Sequence, residues 1–142
     1  MNKETESRAI VVDYELSAPP ETVWRALTEP ALLERWLMPN DIAPTVGHRF
    51  TFRTQPAPGF DGIVHCQIKE VQMPRRLVYS WTGGPLDTLV TWTLERTSQG
   101  GTHLRLTQDG FGPEHGFTYD MLAKGWREKE PDSLKRVVAN LA

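Results

Sequence analysis

Apolar and polar residues alternate along the opening of this chain. Ile10, Val12, Tyr14 and Leu16 fall on one side, Asp13 and Glu15 on the other. Successive strand side chains point to opposite faces, so the pattern predicts a half-buried strand over Ile10–Leu16. The period then lengthens. Ser17 precedes Pro19 and Pro20, and proline's fixed φ and missing N–H suit the first turn of a helix. Val23 and Leu27 follow one turn apart, with Trp24 beside them. Pro30, after Thr28 and Glu29, marks a second start, and Leu33, Trp36 and Leu37 recur at helical spacing. Two short helices are therefore predicted after the first strand.

A period of two returns at His48, where Phe50 and Phe52 alternate with Arg49, Thr51 and Arg53. Gln55–Gly59 is rich in proline and reads as a hairpin-type loop. Further strands are predicted over Gly62–Val71, Arg76–Thr82, Thr88–Arg96 and His103–Asp109. Gly83-Gly84 reads as a turn and Gly100-Gly101 as a two-residue hairpin turn. Closely spaced strands with short turns make an antiparallel meander. The last segment, Glu114–Leu141, carries Leu122, Trp126, Leu134, Val137, Val138 and Leu141 near a period of 3.6, the stripe of a helix with one face inward. Pro131 interrupts it. Proline inside a helix costs roughly 3 kcal/mol or more, so the helix either kinks there or stops near Lys129 and restarts with Pro131 in its first turn. Strands followed by one long terminal helix form an α+β domain, with Trp126 facing the interior.

Composition narrows the class. A chain of 142 residues suffices for one domain with a core of its own. A single domain over 1–142 is expected, with the polar residues 1–7 flexible. Hydrophobic residues at 39% and charged residues at 24% suit a folded domain rather than a disordered chain. The net charge is −2, with no dense Lys/Arg block, which argues against a backbone-driven nucleic-acid binder. Apolar runs are too short to span a bilayer, and the N-terminus lacks a signal-peptide segment. One cysteine, Cys66, excludes an intrachain disulfide. A cytoplasmic location is the expectation.

Several strings carry a resemblance to a known family. Ser17-Ala18-Pro19-Pro20-Glu21-Thr22-Val23-Trp24-Arg25-Ala26-Leu27-Thr28-Glu29-Pro30, followed by Leu33 and Trp36, resembles the opening of the START-like (SRPBCC) superfamily. The branch it resembles is named after the activator of the heat-shock protein 90 ATPase. Pro74-Arg75-Arg76-Leu77-Val78-Tyr79-Ser80-Trp81 is similar to its central strand. Leu104-x-Leu106-x-Gln108-x-Gly110-Phe111 and Gly125-Trp126 are similar to its closing signature. The likeness covers almost the whole chain in the same order. It implies a helix-grip fold: a curved antiparallel sheet wrapped around the C-terminal helix, two short helices closing one end, and a cavity between. One position departs from the branch. A turn after Gly-Trp the family usually carries an apolar residue; here it is Glu130, followed by Pro131. The carboxylate either lies inside the grip or turns to solvent.

Candidate chemistry is sparse. His48, His65, His103 and His115 show no metal-ligand spacing, so neither a metal nor another cofactor is expected. His103 alternates with Leu104 and should face solvent, whereas His115 lies where the last strand gives way to the helix. Cys66 alternates with Val64 and Ile68 and reads as a small buried hydrophobe. No catalytic constellation is readable. The aromatic residues are more informative: Phe50, Phe52, Tyr79, Trp81 and Trp92 lie on one alternation face of their strands, and Leu122 and Trp126 lie on the inward helical stripe. Gln108 shares a face with Leu104 and Leu106, where an unpaired amide costs roughly 1–3 kcal/mol and so needs a partner.

These nine positions, Phe50, Phe52, Tyr79, Trp81, Trp92, Gln108, Leu122, Trp126 and Glu130, form the candidate ligand site. The expected function is binding a small, mostly hydrophobic molecule, aromatic or polyketide-like, between sheet and helix. The polar end of that molecule should find Gln108, Tyr79 or Glu130. A cyclase- or hydrolase-type enzyme using cavity acids and bases such as Glu130 or His115 is the alternative. A co-chaperone stimulating a chaperone ATPase is a third reading. A chaperone partner is not expected, because the chain lacks room for the separate chaperone-binding domain that the eukaryotic name-bearers carry. No nucleic-acid or membrane partner is expected, and a homodimer stays open.

Overall fold

In a computed structural model describing residues 8–141, the alternating segments pair into one six-stranded sheet. The segment 1–7, expected to be flexible, lies outside the described residues. The chain runs β1 (Arg8–Leu16), α1 (Pro20–Thr28), α2 (Pro30–Trp36), β2 (Arg49–Arg53), β3 (Ile63–Gln72), β4 (Arg76–Gly83), β5 (Leu86–Arg96) and β6 (Thr102–Phe111). A 3-10 turn at Pro113–His115 then leads into α3 (Gly116–Lys124), a π-helical turn over Gly125–Lys129, and α4 (Glu130–Ala139).

All neighbouring strands are antiparallel, in the order β1-β6-β5-β4-β3-β2. The meander is thus β2 to β6, and β1 joins its far side, so the two helices between β1 and β2 carry the chain across the sheet. The inward faces are those the alternation names: Ile10, Val12, Tyr14 and Leu16; Phe50 and Phe52; Val64, Cys66 and Ile68; Val90, Trp92 and Leu94; Leu104 and Leu106 are all buried. A bulge between Ile68 and Glu70 adds local twist and bends the sheet, as an unpaired extra residue does.

Both short helices start at proline, with Pro20 and Pro30 in their first turns. Glu29 joins them: its N–H closes α1 on Arg25 O at 2.9 Å, and its carbonyl accepts the N–H of Leu33 at 2.9 Å to open α2. The Trp36 indole donates to Ala26 O at 2.9 Å and locks the pair.

Two turn expectations need correction. The two-residue hairpin is Gly84-Pro85, since Gly83 pairs with Leu86. The β5–β6 turn is longer: Gly100 N–H bonds to Thr97 O at 3.0 Å and Thr97 N–H to Gly101 O at 3.0 Å. Gly100 holds the left-handed φ of 84°. Gly101 lies beyond the turn, where an added Cβ would strike the Leu16 carbonyl. Its smallness lets the end of β1 close on β6.

The regular α-helix restarts at Glu130 with Pro131 in its first turn, as one of the two expectations had it, but the chain stays helical across the junction. It runs on through a wider turn in which the N–H of Glu130 bonds to Gly125 O, five residues back. That leaves the Trp126 carbonyl without a helical partner, because the next N–H would be that of Pro131 and proline has none. The Tyr14 hydroxyl supplies the missing donor at 2.7 Å, from β1 across the core. Pro131 is therefore tolerated because a strand residue replaces the bond it deletes. Tyr14→Phe should cost about 1–3 kcal/mol, the range for stranding a buried acceptor, read as a lowered chemical-denaturation midpoint with an unchanged slope.

Candidate functional site

The interior between sheet and helix is a continuous aromatic body. Phe50 and Phe52 stand edge to face at 5.4 Å between ring centroids, and Phe52 lies 5.2 Å from Trp81. Trp126 meets Trp81 at 5.9 Å and Trp92 at 5.7 Å. Trp92 in turn meets Trp36 of α2 at 6.0 Å. These separations are those of rings in contact. Eight of the nine predicted site residues are buried together here; Leu122 is half-buried and packs against the rim.

The polar groups inside this body mostly satisfy one another. The Trp126 indole donates to Gln108 Oε1 at 3.0 Å, and Gln108 Nε2 donates to Thr88 Oγ1 at 3.0 Å. The Thr88 hydroxyl donates to Trp81 O at 2.9 Å. The Trp92 indole donates to the Tyr79 hydroxyl at 3.1 Å. Gln108 thus finds the partner its burial demands, and the partners are protein groups at both ends. Tyr14, Thr88 and Trp36 belong to the same body and are absent from the predicted site. Thr88 was legible in principle, as a polar residue on the face shared by Val90 and Trp92. The contribution of Tyr14 depends on the register of the helix and was not.

The exceptions are the Trp81 indole N–H, which makes no hydrogen bond among the described residues, and Glu130. Glu130 lies inward, only 8% exposed, and makes no hydrogen bond or ion pair among the described residues. No fully enclosed side-chain nitrogen or oxygen of the described residues lacks a partner, so the unpartnered carboxylate must reach accessible space. It folds back over Gly125, where a Cβ would stand 3.2 Å from Oε2. Burial pushes the Glu130 carboxyl above the usual range, with Lys129 pulling the other way. Burial and the nearby Glu130 push the Tyr14 hydroxyl up, and burial does the same to the Cys66 thiol.

The first half of the terminal helix covers this body lightly. Of α3, only Ala123 is buried, while Phe117 is 83% and Met121 55% exposed. Two open concavities, of about 520 and 300 Å³, lie elsewhere. One gathers Gly59, Phe60, Asp61 and Gly84 at the β2–β3 loop; the other gathers Thr51, His65, Gln67 and Ser80 on the outward face of the sheet. Among the described residues no group of His, Cys, Asp and Glu is placed to hold a metal ion, and no helix is long and apolar enough to cross a membrane.

His115 takes a structural place: its Nδ1 accepts the Gly112 N–H at 2.9 Å as the helix begins. His103 faces outward as expected, with Nε2 2.8 Å from Asp13 and Nδ1 2.6 Å from Glu15. Two carboxylates on two ring nitrogens are both satisfied only by the imidazolium. The hydrogen bond to Asp13 accordingly raises the His103 pKa, while Arg105 and His103 lower that of Asp13. The sign follows from linkage. The His103 contribution is complete below the ordinary histidine pKa and fades as pH rises through the raised one. That of Asp13 fades as pH falls through its lowered value. A proton-resonance titration should place His103 above an unstructured histidine, and His103→Ala should flatten the alkaline side of the stability profile by a small amount, since these groups are exposed.

A curved antiparallel sheet gripping a long C-terminal helix, with two short helices after the first strand, defines the helix-grip fold of the START-like superfamily. Within it, the chain belongs to the family described as activator of Hsp90 ATPase homolog 1-like protein, whose pattern matches residues 17–139. The structure is similar to that of protein MLL2253 from Mesorhizobium loti, with 37% identity over 95% of this chain and 99% of that one and a TM-score of 0.85. CalU16 from Micromonospora echinospora is 24% identical over 97% of this chain and 80% of its own, with a TM-score of 0.77. PFC0360w, an HSP90 activator from Plasmodium falciparum, is 18% identical over 92% of this chain and 96% of its own, with a TM-score of 0.74. At these last two identities the likeness is one of fold. No curated relative matches the chain in sequence.

Proposed function

We propose that this protein binds a small, mostly hydrophobic molecule, aromatic or polyketide-like, between the sheet and the terminal helix. The observation that carries the reading is the aromatic body of Phe50, Phe52, Trp81, Trp92 and Trp126 beneath a helix half, α3, that buries a single residue. Rings fill the interior, so a ligand gains its place by lifting α3 and displacing side chains at the rim. That segment is held at its rim by Tyr119, which packs on Phe111 at 5.2 Å and donates to Ala9 O at 3.0 Å, and otherwise by few buried apolar contacts; segments so held open at low free-energy cost. The helix-grip fold and the family assignment support the same reading.

Titration with naphthalene-based probes, followed by tryptophan emission, tests it. Trp81 and Trp126 should be quenched or shifted in a saturable way, and amide exchange in α3 should slow on binding. Flat emission with unchanged exchange, together with purified protein carrying no small molecule by native mass spectrometry, would leave the aromatic body as a plain core.

A further inference from the structure

We propose that the outer side of α3 is a self-association surface, on which two copies of this chain pair their α3 helices antiparallel about a two-fold axis. The homodimer that the sequence left open is thereby given a place and an orientation. A second copy fits there whether or not a ligand lies between sheet and helix.

α3 carries apolar side chains on two opposite sides. Tyr119, Ala123 and, in the next turn, Trp126 face the body: Tyr119 packs against the core, and Ala123 and Trp126 are buried. Phe117 and Met121, one turn apart on the other side, are 83% and 55% exposed. A single exposed hydrophobe needs no explanation. These two are continued in line by charges of opposite sign. Glu114 comes three residues before Phe117, with 71% of its side chain exposed, and Lys124 comes three residues after Met121, also exposed. Steps of three, four and three keep Glu114, Phe117, Met121 and Lys124 on one side of a helix, the repeat of a coiled-coil seam. Glu114 sits in the 3-10 turn that leads into α3, where residues three apart also superpose.

The order of groups along that seam selects the occupant. It runs acid, aromatic, thioether, base. Turned end for end about an axis midway between Phe117 and Met121, the same seam sets the partner's Lys124 opposite Glu114 and the partner's Met121 opposite Phe117. Two-fold symmetry repeats each pair, and a thioether against an aromatic ring is a favourable contact. Parallel pairing would instead oppose glutamate to glutamate and lysine to lysine. Both charges are available for the antiparallel pairing. Lys124 makes no ion pair among the described residues, and Glu114 makes its own with His115 at 3.6 Å. Asp120 is exposed on the flank and meets its own copy near the axis, a repulsion that Lys124, one turn on, offsets. Pairing also gives a second hold to a helix that buries only Ala123 in its own body.

Sedimentation equilibrium on the full chain decides the matter. Two nine-residue helices cover less than a standard interface, so association in about the high-micromolar range is expected. Lys124→Glu and Glu114→Lys should each weaken the dimer about tenfold or more, because each sets two like-charged pairs face to face. Exchanging both, Glu114→Lys with Lys124→Glu, should restore most of the association. An equimolar mixture of the two single variants should form the heterodimer. Phe117→Ser, a surface change that leaves the core intact, should abolish pairing. In the unaltered protein, amide exchange in α3 should slow as concentration rises, a reading that needs no variant. A monomer at every concentration up to about 1 mM, a dimer indifferent to Phe117→Ser, or a loss that the double exchange fails to restore overturns the assignment. A monomer that binds phosphatidylcholine vesicles and releases them in Phe117→Ser overturns it in favour of a lipid surface.

Discussion

Trp126→Ala should lower the stability of this protein by about 3–5 kcal/mol, the range for truncating a large buried side chain. The reasons are visible around the ring. Trp126 is buried between Trp81 and Trp92, its centroid within 6 Å of both. It is the main residue by which the turn between α3 and α4 holds the sheet, since α3 itself buries only Ala123. Truncation leaves a void between Trp81 and Trp92, and it takes away the donor on Gln108 Oε1. Chemical denaturation measures the change. A midpoint equal to that of the unaltered protein would show that the helix is not gripped through this ring. Trp36→Phe is a useful comparison, because it weakens a second contact to Trp92 and the α1–α2 lock without touching the terminal helix.

The second large effect belongs to Gln108. Gln108→Leu is nearly equal in size, yet it takes the acceptor from the buried Trp126 indole N–H and removes the donor on Thr88. A cost of about 1–3 kcal/mol is expected for the stranded donor. The mechanism is separable from mere loss of fit by a double-mutant cycle. In a Trp126→Phe background there is no indole N–H to strand, so the same Gln108→Leu change should cost markedly less. Coupling between contacting residues of this sort runs at about 0.5–3 kcal/mol. Equal costs in the two backgrounds would mean that the hydrogen bond contributes nothing and Gln108 acts only by its shape.

Both predictions concern the same helix, and they show how far the sequence reaches. Alternation in Phe50–Phe52, in Leu77–Tyr79–Trp81 and in Val90–Trp92–Leu94 names the buried face of each strand, because a period of two is a local property of an extended backbone. The proline at the start of each short helix is equally local, since it fixes φ within its own residue. The 3.6-residue stripe from Leu122 to Leu141 names the inward side of the last helix. From these alone come the order of elements, most of the core and six of the aromatic residues that meet inside it, while Tyr14 and Trp36 join that body only through packing.

What the chain's pattern left open depends on groups distant in sequence. Whether Pro131 breaks the helix turns on Tyr14, more than a hundred residues earlier, whose hydroxyl replaces the lost donor. The loop at Gly100-Gly101 reads as a two-residue turn until β1 is placed, when Gly101 is needed to let Leu16 approach. The mutual satisfaction of Gln108, Thr88 and Trp126 requires three elements at hydrogen-bond distance, and no spacing along the chain encodes it. The side on which Glu130 lies is decided by the register of the π turn, which carries the carboxylate inward over Gly125. Periodicity fixes which face of an element is apolar. Only packing, by setting which donors and acceptors come within 3 Å of one another, decides which interior polar groups are spent on the fold.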